Sequence, residues 1–191
     1  MTSSLDQPVR QFLDQVAART SAPGGGGAAA LTGALAAGLV AMAARFSAAQ
    51  LPAAGELADR ADQLRRRAAE LVDEDAQAYT RVLGAFALPH QDEQRGQRIR
   101  AALEQAAAVP QEMTEIAAQV AEMAARLAAA GNPNLRGDSV SAAVLAEASA
   151  RSAACLVDIN VALGDLPGDL AQRAAGCLAA AEAAARQATA A

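Results

Sequence analysis

Alanine is the feature that most constrains the fold of this chain, because it accounts for 57 of the 191 residues. Alanine has the highest intrinsic helix propensity of all residues and is depleted in strands. The aromatic residues that favour strands are scarce, with three Phe, one Tyr and no Trp. The composition therefore predicts an all-α protein.

The length of the chain fits one domain with a sizeable core. Each buried alanine removes little apolar area from water, so stability has to come from close packing of helices and from a subunit interface. We therefore expect a single antiparallel helical bundle over residues 1–191 that forms a homodimer.

The charged residues argue against two classes of function. The net charge is −5, every basic residue is arginine, and the longest basic run, Arg65 to Arg67, is flanked by acidic residues. Nucleic-acid binding needs a basic stripe or aromatic stacking groups, so no nucleic-acid partner is expected. With one histidine, His90, and no CxxC spacing of Cys155 and Cys177, no metal site is expected.

The N-terminal half contains one long uncharged stretch, residues 22–44. It is long enough to span a bilayer, but it consists mainly of alanine and glycine. We predict that this stretch is a helix buried on all sides of the bundle, with no membrane partner. Charged residues interrupt the first 19 positions, so no secretory signal is predicted and the expected location is the cytoplasm.

Helix-start residues, helix breakers and the 3.6-residue period divide the chain into six predicted helices, over residues 4–20, 28–46, 52–86, 92–130, 138–163 and from 167 onward. Ser4 is expected to cap the first helix, whose apolar stripe consists of Val9, Phe12, Leu13 and Val16. Pro110 is expected to kink the fourth helix because it lacks a backbone N–H.

One carboxylate interrupts an apolar stripe on the third helix. The stripe has alternating spacings of four and three and consists of Leu57, Ala61, Leu64, Ala68, Leu71, Ala78, Val82 and Ala85. Asp75 occupies the same register. Burial would raise its pKa toward the range that suits general acid and base catalysis. The alternative is structural, with Asp75 held by an arginine or by backbone donors of another helix.

Pro23 is followed by four glycines that lead into the second helix. Glycines let the backbone approach a ligand closely, and a helix start offers free N–H groups to an anion or a carbonyl. The alternative is a tight turn beside crowded helices. No Gly-Lys-Ser/Thr follows and no strand precedes the run, so the standard nucleotide motifs are absent.

Residues 131–138 form a polar loop between the fourth and fifth helices. Asn132, Asn134 and Asp138 can read the edge of a heterocycle, or they can act as turn formers and as an N-cap. On the fifth helix, we expect Arg151 to pair with Glu147 or Asp158.

These features belong to a series of short motifs: Phe12-Leu13, Ala22-Pro23-Gly24-Gly25-Gly26, Leu71 to Tyr79 with Asp73-Glu74-Asp75-Ala76, Val109-Pro110, Gly131-Asn132-Pro133-Asn134 with Asp138, and Ile159-Asn160. In their order and spacing they resemble the cyclodeaminase/cyclohydrolase family of folate enzymes. The resemblance covers nearly the whole chain.

The resemblance implies an all-α dimer whose substrate is a tetrahydrofolate one-carbon derivative, with no tightly bound cofactor. It places the family's proposed catalytic aspartate on Asp75, which would act as a general acid and base. The implied reaction is hydrolysis of 5,10-methenyltetrahydrofolate to 10-formyltetrahydrofolate, or cyclisation of 5-formiminotetrahydrofolate with loss of ammonia. The implied substrate-binding residues are Pro23, Gly24, Gly25, Gly26, Gly27, Tyr79, Asn132, Asn134, Asp138 and Asn160.

Few aromatic residues are available to stack on a pterin ring, and the candidates are Tyr79 and Phe46. Two other functions stay open from the sequence. One is a folate-binding module that has lost turnover, and the other is a structural helical dimer.

Overall fold

The computed structural model describes residues 3–191, so the first two residues of the predicted domain lie outside it, and every regular element in the described range is helical. The helices are α1 (Val9–Ala17), α2 (Gly25–Arg45), α3 (Ala54–Phe86), α4 (Arg95–Ala130), a short 3-10 helix (Pro133–Leu135), α5 (Arg136–Gly164) and α6 (Asp169–Ala190). The prediction of an all-α fold with six α-helices is confirmed.

The long helices form a bundle in which α4 contacts α2, α3, α5 and α6. α2 packs against both α3 and α5 and runs antiparallel to each. An ion pair of 2.6 Å joins Arg45, at the end of α2, to Asp62 near the start of α3. On the other side, the Ser47 hydroxyl accepts the Asn132 N–H at 2.8 Å, just before α5. The C-terminal end of α2 therefore lies beside the starts of its two neighbours.

The core of the bundle is built largely from alanine. Ala36, Ala37, Ala43 and Ala44 of α2 are completely buried. A Cβ on Gly33 would lie 3.0 Å from the Ser149 hydroxyl oxygen. Small residues let helix backbones approach closely, and interiors of this density leave no room for larger groups.

The uncharged stretch forms α2. By length and composition alone, Gly25–Arg45 and Pro133–Gly164 could each cross a membrane, and 61% of the α2 window is buried inside the protein. A core helix passes the same test. The prediction that residues 22–44 are buried on all sides is wrong along one face, where Leu35 is exposed and Leu31 and Leu39 are half-buried.

The prediction that α1 buries an apolar stripe is also wrong. Only Phe12 is buried, whereas Val9, Leu13 and Val16 are exposed. Pro8 rather than Ser4 precedes the first helical residue, and the Ser4 N–H instead bonds the Asp73 carboxylate at 2.9 Å. α1 is short and touches the core through Phe12, so its other apolar positions find no neighbour within one chain.

Two helix starts differ from the sequence prediction in a way that bears on the site. α2 begins at Gly25 rather than near residue 28, so most of the glycine run is helical. α5 begins at Arg136, which puts Asp138 in the first turn rather than at the cap. As predicted, α4 contains Pro110 and is one helix, of 36 residues. A helix can continue past proline where tertiary packing outweighs the lost hydrogen bond.

The density of the alanine core predicts that enlarging a buried alanine destabilises the protein. Ala37→Leu should lower the free energy of unfolding by about 1–3 kcal/mol, because the extra methyl groups force α2 away from its neighbours. Chemical denaturation of the variant measures this change. Ala129→Leu, at an exposed position of α4, is the control and should leave the stability within about 0.5 kcal/mol of the wild type. Equal stability of the two variants would show that the core has room to spare.

Candidate functional site

A cavity of about 480 Å³ lies at the N-terminal end of α2. It exists because α2 has 21 residues, whereas its neighbours α3 and α5 have 33 and 29. Beyond the N-terminal end of α2, α3 and α5 continue on both sides and form walls of the cavity, and α4 also contributes to its wall. Residues 20–22, which connect α1 to α2, complete the lining.

The walls of this cavity are mainly apolar. The apolar lining consists of Val82, Leu83, Phe86, Leu103, Leu156, Ile159 and Leu163. Asp75 is eleven residues before Phe86, so the lined stretch of α3 is about 16 Å long. The lining also contains a few polar residues, among them Asp75 and Asn160. Such a cavity suits an elongated, flat, partly apolar ligand.

Asp75 lies where the apolar stripe of α3 meets the first turn of α2. All other members of that stripe are buried, as predicted. A Cβ built on Gly26 would overlap the Asp75 carboxylate. No such overlap occurs with glycine, so Gly26 is what allows the carboxylate to lie against the α2 backbone.

Burial raises the pKa of the Asp75 carboxyl above its ordinary value of 3.8, and the backbone N–H of Gly27 partly opposes this shift. The contact with Gly27 matches one part of the structural alternative, which named backbone donors of another helix. Within residues 3–191, no arginine forms an ion pair with Asp75. Arg151 instead pairs with Glu147 and Glu182 at 2.8 and 2.9 Å.

The two acidic residues before Asp75 are engaged elsewhere. Asp73 accepts the Ser4 N–H, and Glu74 pairs with Arg67. Arg67 also pairs with Glu112 of α4 at 2.6 Å, which ties α3 to α4 just below the cavity. Asp75 is therefore the carboxylate of this cluster that faces the cavity.

The first turn of α2 presents backbone donors to the cavity. The first main-chain hydrogen bond of this helix is from the Ala28 N–H to the Gly24 carbonyl, at 3.0 Å. The N–H groups of Gly25 and Gly26 precede it and have no acceptor within the helix. Both glycines line the cavity. The positive end of the helix dipole is thus directed at the space beside Asp75.

Asn160 presents an acceptor to the cavity. Its side-chain Nδ2 donates to the carbonyl oxygens of Ala106 and Leu156, each at 3.0 Å. Carbonyl oxygens only accept hydrogen bonds, so these two contacts identify the donating end of the Asn160 amide and fix its orientation. The Oδ1 atom is left as the polar atom of the side chain without a hydrogen bond in these contacts. Tyr79, one turn after Asp75 on α3, adds an aromatic face to the lining.

The structure brings together some of the predicted site residues. Gly24, Gly25, Gly26, Asp75, Tyr79 and Asn160 line the cavity. Pro23 and Gly27 lie behind the wall, where a Cβ on Gly27 would be 3.4 Å from the Pro23 side chain. Both residues belong to the turn that carries the other three glycines, and their role in substrate binding stays a prediction.

The predicted polar loop lies at the other end of α2, about 30 Å away along a helix of this length. Asn132 acts there as a turn former. Its Nδ2 donates to the Phe46 carbonyl at 3.0 Å, and its Oδ1 accepts the Asn134 N–H at 3.0 Å. Asn132, Asn134 and Asp138 do not line the cavity of their own chain. Their role in substrate binding stays a prediction.

The sequence prediction missed the apolar lining of the cavity. A signal for part of it existed, because Leu83 and Phe86 follow Tyr79 at spacings of four and three and so share its face of α3. Ile159 and Leu163 are likewise four apart on α5, and Ile159 precedes Asn160 in one of the quoted motifs, whereas Leu103 carried no such signal. All three join the site only because α4 and α5 extend past the end of α2.

Comparisons with known proteins bear on this arrangement. Residues 8–165 match the family described as formiminotransferase-cyclodeaminase. This chain belongs to that family. A methenyltetrahydrofolate cyclohydrolase of Methylorubrum extorquens is 33% identical over 165 residues, which cover 81% of this chain and 79% of that protein.

The formiminotransferase-cyclodeaminase family also includes longer proteins. The formimidoyltransferase-cyclodeaminase of Rattus norvegicus is 34% identical over 151 residues, which cover 71% of this chain but 27% of the rat protein. The fold agrees with that of a formiminotetrahydrofolate cyclodeaminase from Thermotoga maritima, with a TM-score of 0.86, 24% identity and coverage of 96% and 94% of the two chains.

The contact between Gly26 and Asp75 predicts that a single methyl group at position 26 disturbs the site. Gly26→Ala should lower the free energy of unfolding by about 1–3 kcal/mol, because the new Cβ displaces a partly buried carboxylate. Gly55→Ala is the matched control, since Gly55 is the second residue of α3 as Gly26 is of α2, and its Cβ would meet nothing within 4 Å. Thermal and chemical unfolding of both variants measure the difference. Equal effects at the two positions would contradict the proposed close approach.

Proposed function

We propose that this protein is a folate one-carbon enzyme that hydrolyses 5,10-methenyltetrahydrofolate to 10-formyltetrahydrofolate, with Asp75 as general base and acid. The observation that carries this proposal is the partly buried Asp75 carboxylate at the polar end of an apolar cavity, against the N-terminus of α2. The similarity to a cyclohydrolase over most of both chains supports the choice of reaction.

The cavity has the size and the chemistry that such a substrate needs. Its volume lies within the range of about 300–1,000 Å³ that is usual for small-molecule sites. The apolar stretch between Tyr79 and Phe86 suits the aminobenzoyl ring. The polar end suits the reacting carbon between N5 and N10, which would then lie beside Asp75.

The first step is attack of water on the amidinium carbon of the substrate. That carbon is already electrophilic because it shares a positive charge with N5 and N10. The Asp75 carboxylate takes a proton from the water as the C–O bond forms, and a neutral carbinolamine results. Raising the pKa of a carboxylate makes it a stronger base, which favours this transfer.

The second step opens the five-membered ring. The protonated Asp75 gives its proton to N5 as the C–N5 bond breaks, and the hydroxyl of the carbinolamine loses its proton to solvent as the formyl C=O forms. One water is consumed, one proton is released, and Asp75 returns to its ionised form. Charge is conserved, because the cationic substrate and one water give a neutral formamide and one proton.

The surrounding groups divide into two roles. The ionised Asp75 and the Oδ1 of Asn160 are both acceptors, and they favour a cationic or N–H-bearing reacting group. The N–H groups of Gly25 and Gly26 can donate to the oxygen that develops on the carbon. This pairing of a base with backbone donors matches a water attack at a carbon between them.

A second reaction is favoured by the family description and by the mammalian relatives. In 5-formiminotetrahydrofolate, N10 attacks the formimino carbon, and the nitrogen that leaves as ammonia must gain a proton. Asp75 in its protonated form can supply that proton. The same cavity therefore fits the cyclodeaminase reaction, and both substrates belong in the assay.

The role of Asp75 predicts a large loss of rate on neutralisation. Asp75→Asn should lower kcat/KM for methenyltetrahydrofolate hydrolysis by about 10²–10⁴-fold, which is the usual contribution of a positioned acid or base. The loss of absorbance of methenyltetrahydrofolate measures the rate. Asp59→Asn makes the same change at an exposed position of α3 and should keep the wild-type rate. Equal rates for Asp75→Asn and the wild type would remove Asp75 from the mechanism.

The two other functions have their own signatures. A folate-binding module without turnover would be stabilised against heat by folates, while neither substrate reacted. A structural dimer would show no stabilisation by any folate, and Asp75→Leu would make it more stable. Turnover of either substrate by the wild type contradicts both.

The raised pKa of Asp75 predicts the acid limb of the pH profile. The base must be ionised, so kcat/KM should fall as pH falls through the pKa of Asp75, at a pH above the ordinary value of 3.8. The residual rate of Asp75→Asn, after subtraction of the uncatalysed rate, should lack this limb. If the fall of kcat/KM at low pH is the same in Asp75→Asn as in the wild type, the titrating group is not Asp75.

Two further expectations from the sequence stay proposals, a cytoplasmic location and a homodimer. The exposed apolar residues Val9, Leu35 and Phe46 support the expectation of a partner chain.

A further inference from the structure

Arg95, the first residue of α4, holds its guanidinium against the C-terminal end of α3. Its Nε donates to the Leu88 carbonyl and its Nη2 donates to the Phe86 carbonyl, each at 3.1 Å. The residue is half-buried. Because the guanidinium is planar, two hydrogen bonds to one helix end fix both its position and its orientation.

One edge of this guanidinium is unused in the part of the chain that the structure describes. Arginine has five N–H groups, and the two carbonyls occupy the edge formed by Nε and Nη2. The other edge is formed by Nη1 and the second N–H of Nη2. Within residues 3–191 it donates to no acceptor, and Arg95 forms no ion pair there. A free edge of this kind binds a carboxylate through two parallel hydrogen bonds.

The guanidinium lies at the end of the cavity that is opposite Asp75. Phe86, whose carbonyl it contacts, is the last residue of α3 and the last α3 residue of the cavity lining. Phe86 and Leu163 are 43% and 62% exposed, so the cavity opens to solvent at this end. A ligand that fills the apolar part of the cavity therefore emerges beside Arg95.

This end of the cavity would repel a carboxylate if Arg95 were absent. Two helices end there, α3 at Phe86 and α5 at Gly164, and the C-terminus of a helix carries about half a negative charge on its free carbonyls. The lining formed by residues 3–191 contains a single charged side chain, Asp75, and it is acidic. The full positive charge of Arg95 contacts the end of α3 directly and outweighs its partial negative charge.

The proposed substrate has a carboxylate at the matching distance. Nine bonds separate the reacting carbon from the α-carboxylate of the glutamate in a tetrahydrofolate, and they span roughly 11 Å when extended. The attacking water between Asp75 and that carbon adds about 3 Å. Together these lengths are close to the length of α3 between Asp75 and Phe86, which is about 16 Å.

We propose that Arg95 binds the α-carboxylate of the substrate's first glutamate through the Nη1–Nη2 edge of its guanidinium. The carbonyls of Phe86 and Leu88 hold the guanidinium in place before the substrate arrives. Arg95 then selects ligands with a carboxylate at this distance and fixes how far the ring system enters the cavity. It contacts no reacting atom, so it acts in binding and not in the chemical steps. The identity of the ligand rests on the proposed function, whereas the free edge at the cavity mouth does not.

Removal of the glutamate from the substrate separates this role from a purely structural one. Arg95→Ala should raise KM for methenyltetrahydrofolate about 10–100-fold, which is the usual contribution of a hydrogen bond between charged groups, and should leave kcat within about two-fold. Methenyltetrahydropteroate lacks the glutamate, so the variant and the wild type should have the same KM for it. The loss of absorbance of each substrate measures the rates.

Two further variants control for charge and for the shape of the side chain. Arg98→Ala removes the same charge from the next turn of α4. The Arg98 side chain lies in a groove with Arg81, on a different face of α3 from the cavity, so this variant should keep the wild-type KM for both substrates. Arg95→Lys keeps the charge but loses the planar group, so it should restore part of the affinity for methenyltetrahydrofolate.

The pattern of KM values decides the proposal. An equal rise for both substrates in Arg95→Ala, or no rise for methenyltetrahydrofolate, would overturn the carboxylate site. If Arg95→Ala does not fold, Arg95→Lys decides the question. A rise of KM for methenyltetrahydrofolate alone supports the site, and any other pattern contradicts it.

Direct binding distinguishes failure of this site from failure of the proposed reaction. Calorimetric titration with tetrahydrofolate and with tetrahydropteroate needs no turnover. A wild type that reacts with neither substrate but binds tetrahydrofolate about tenfold more tightly, with this preference lost in Arg95→Ala, would contradict the reaction and support the site. A wild type that hydrolyses methenyltetrahydrofolate but binds both ligands equally would support the reaction and overturn the site. If neither ligand binds, both proposals are wrong.

Discussion

The close approach of α2 to α3 is the constraint on which the rest of the structure depends. It is possible because glycine and alanine occupy the buried positions of α2, and at Gly26 not even a methyl group fits beside Asp75. α2 is thereby inserted between α3 and α5 over its whole length. Because it ends earlier than they do, the space beyond its first turn becomes a cavity, and its N–H groups and dipole point into that cavity.

This placement subjects Asp75 to two opposing effects. Removal of water favours the neutral acid, whereas the backbone N–H at the start of α2 favours the carboxylate. Desolvation is the larger effect, so the group is a stronger base than an exposed aspartate and remains able to ionise. An acid and base that has to work in both directions within one turnover benefits from such a balance. An arginine partner would have held the same carboxylate ionised and made it a poor proton donor.

The site residues that the family resemblance implies lie in two groups, one near each end of α2. Asp75, Tyr79 and Asn160 lie near the N-terminal end, and Asn134 and Asp138 near the other. Within one chain, the length of α2 keeps these two groups of residues about 30 Å apart.

What the sequence determined by itself follows from local physics. Alanine content and the 3.6-residue period are properties of short segments, so the helices, the seam of α3 and the unusual position of Asp75 were all readable before any packing was known. The apolar stripe of α1 was predicted wrongly because periodicity records amphipathicity and not whether a neighbour exists to bury it. The tertiary structure alone decided that Leu103, Ile159 and Leu163 meet around Asp75, and that the polar loop lies at the far end of α2. The relative lengths and directions of the packed helices fix these distances, and no single segment carries that information.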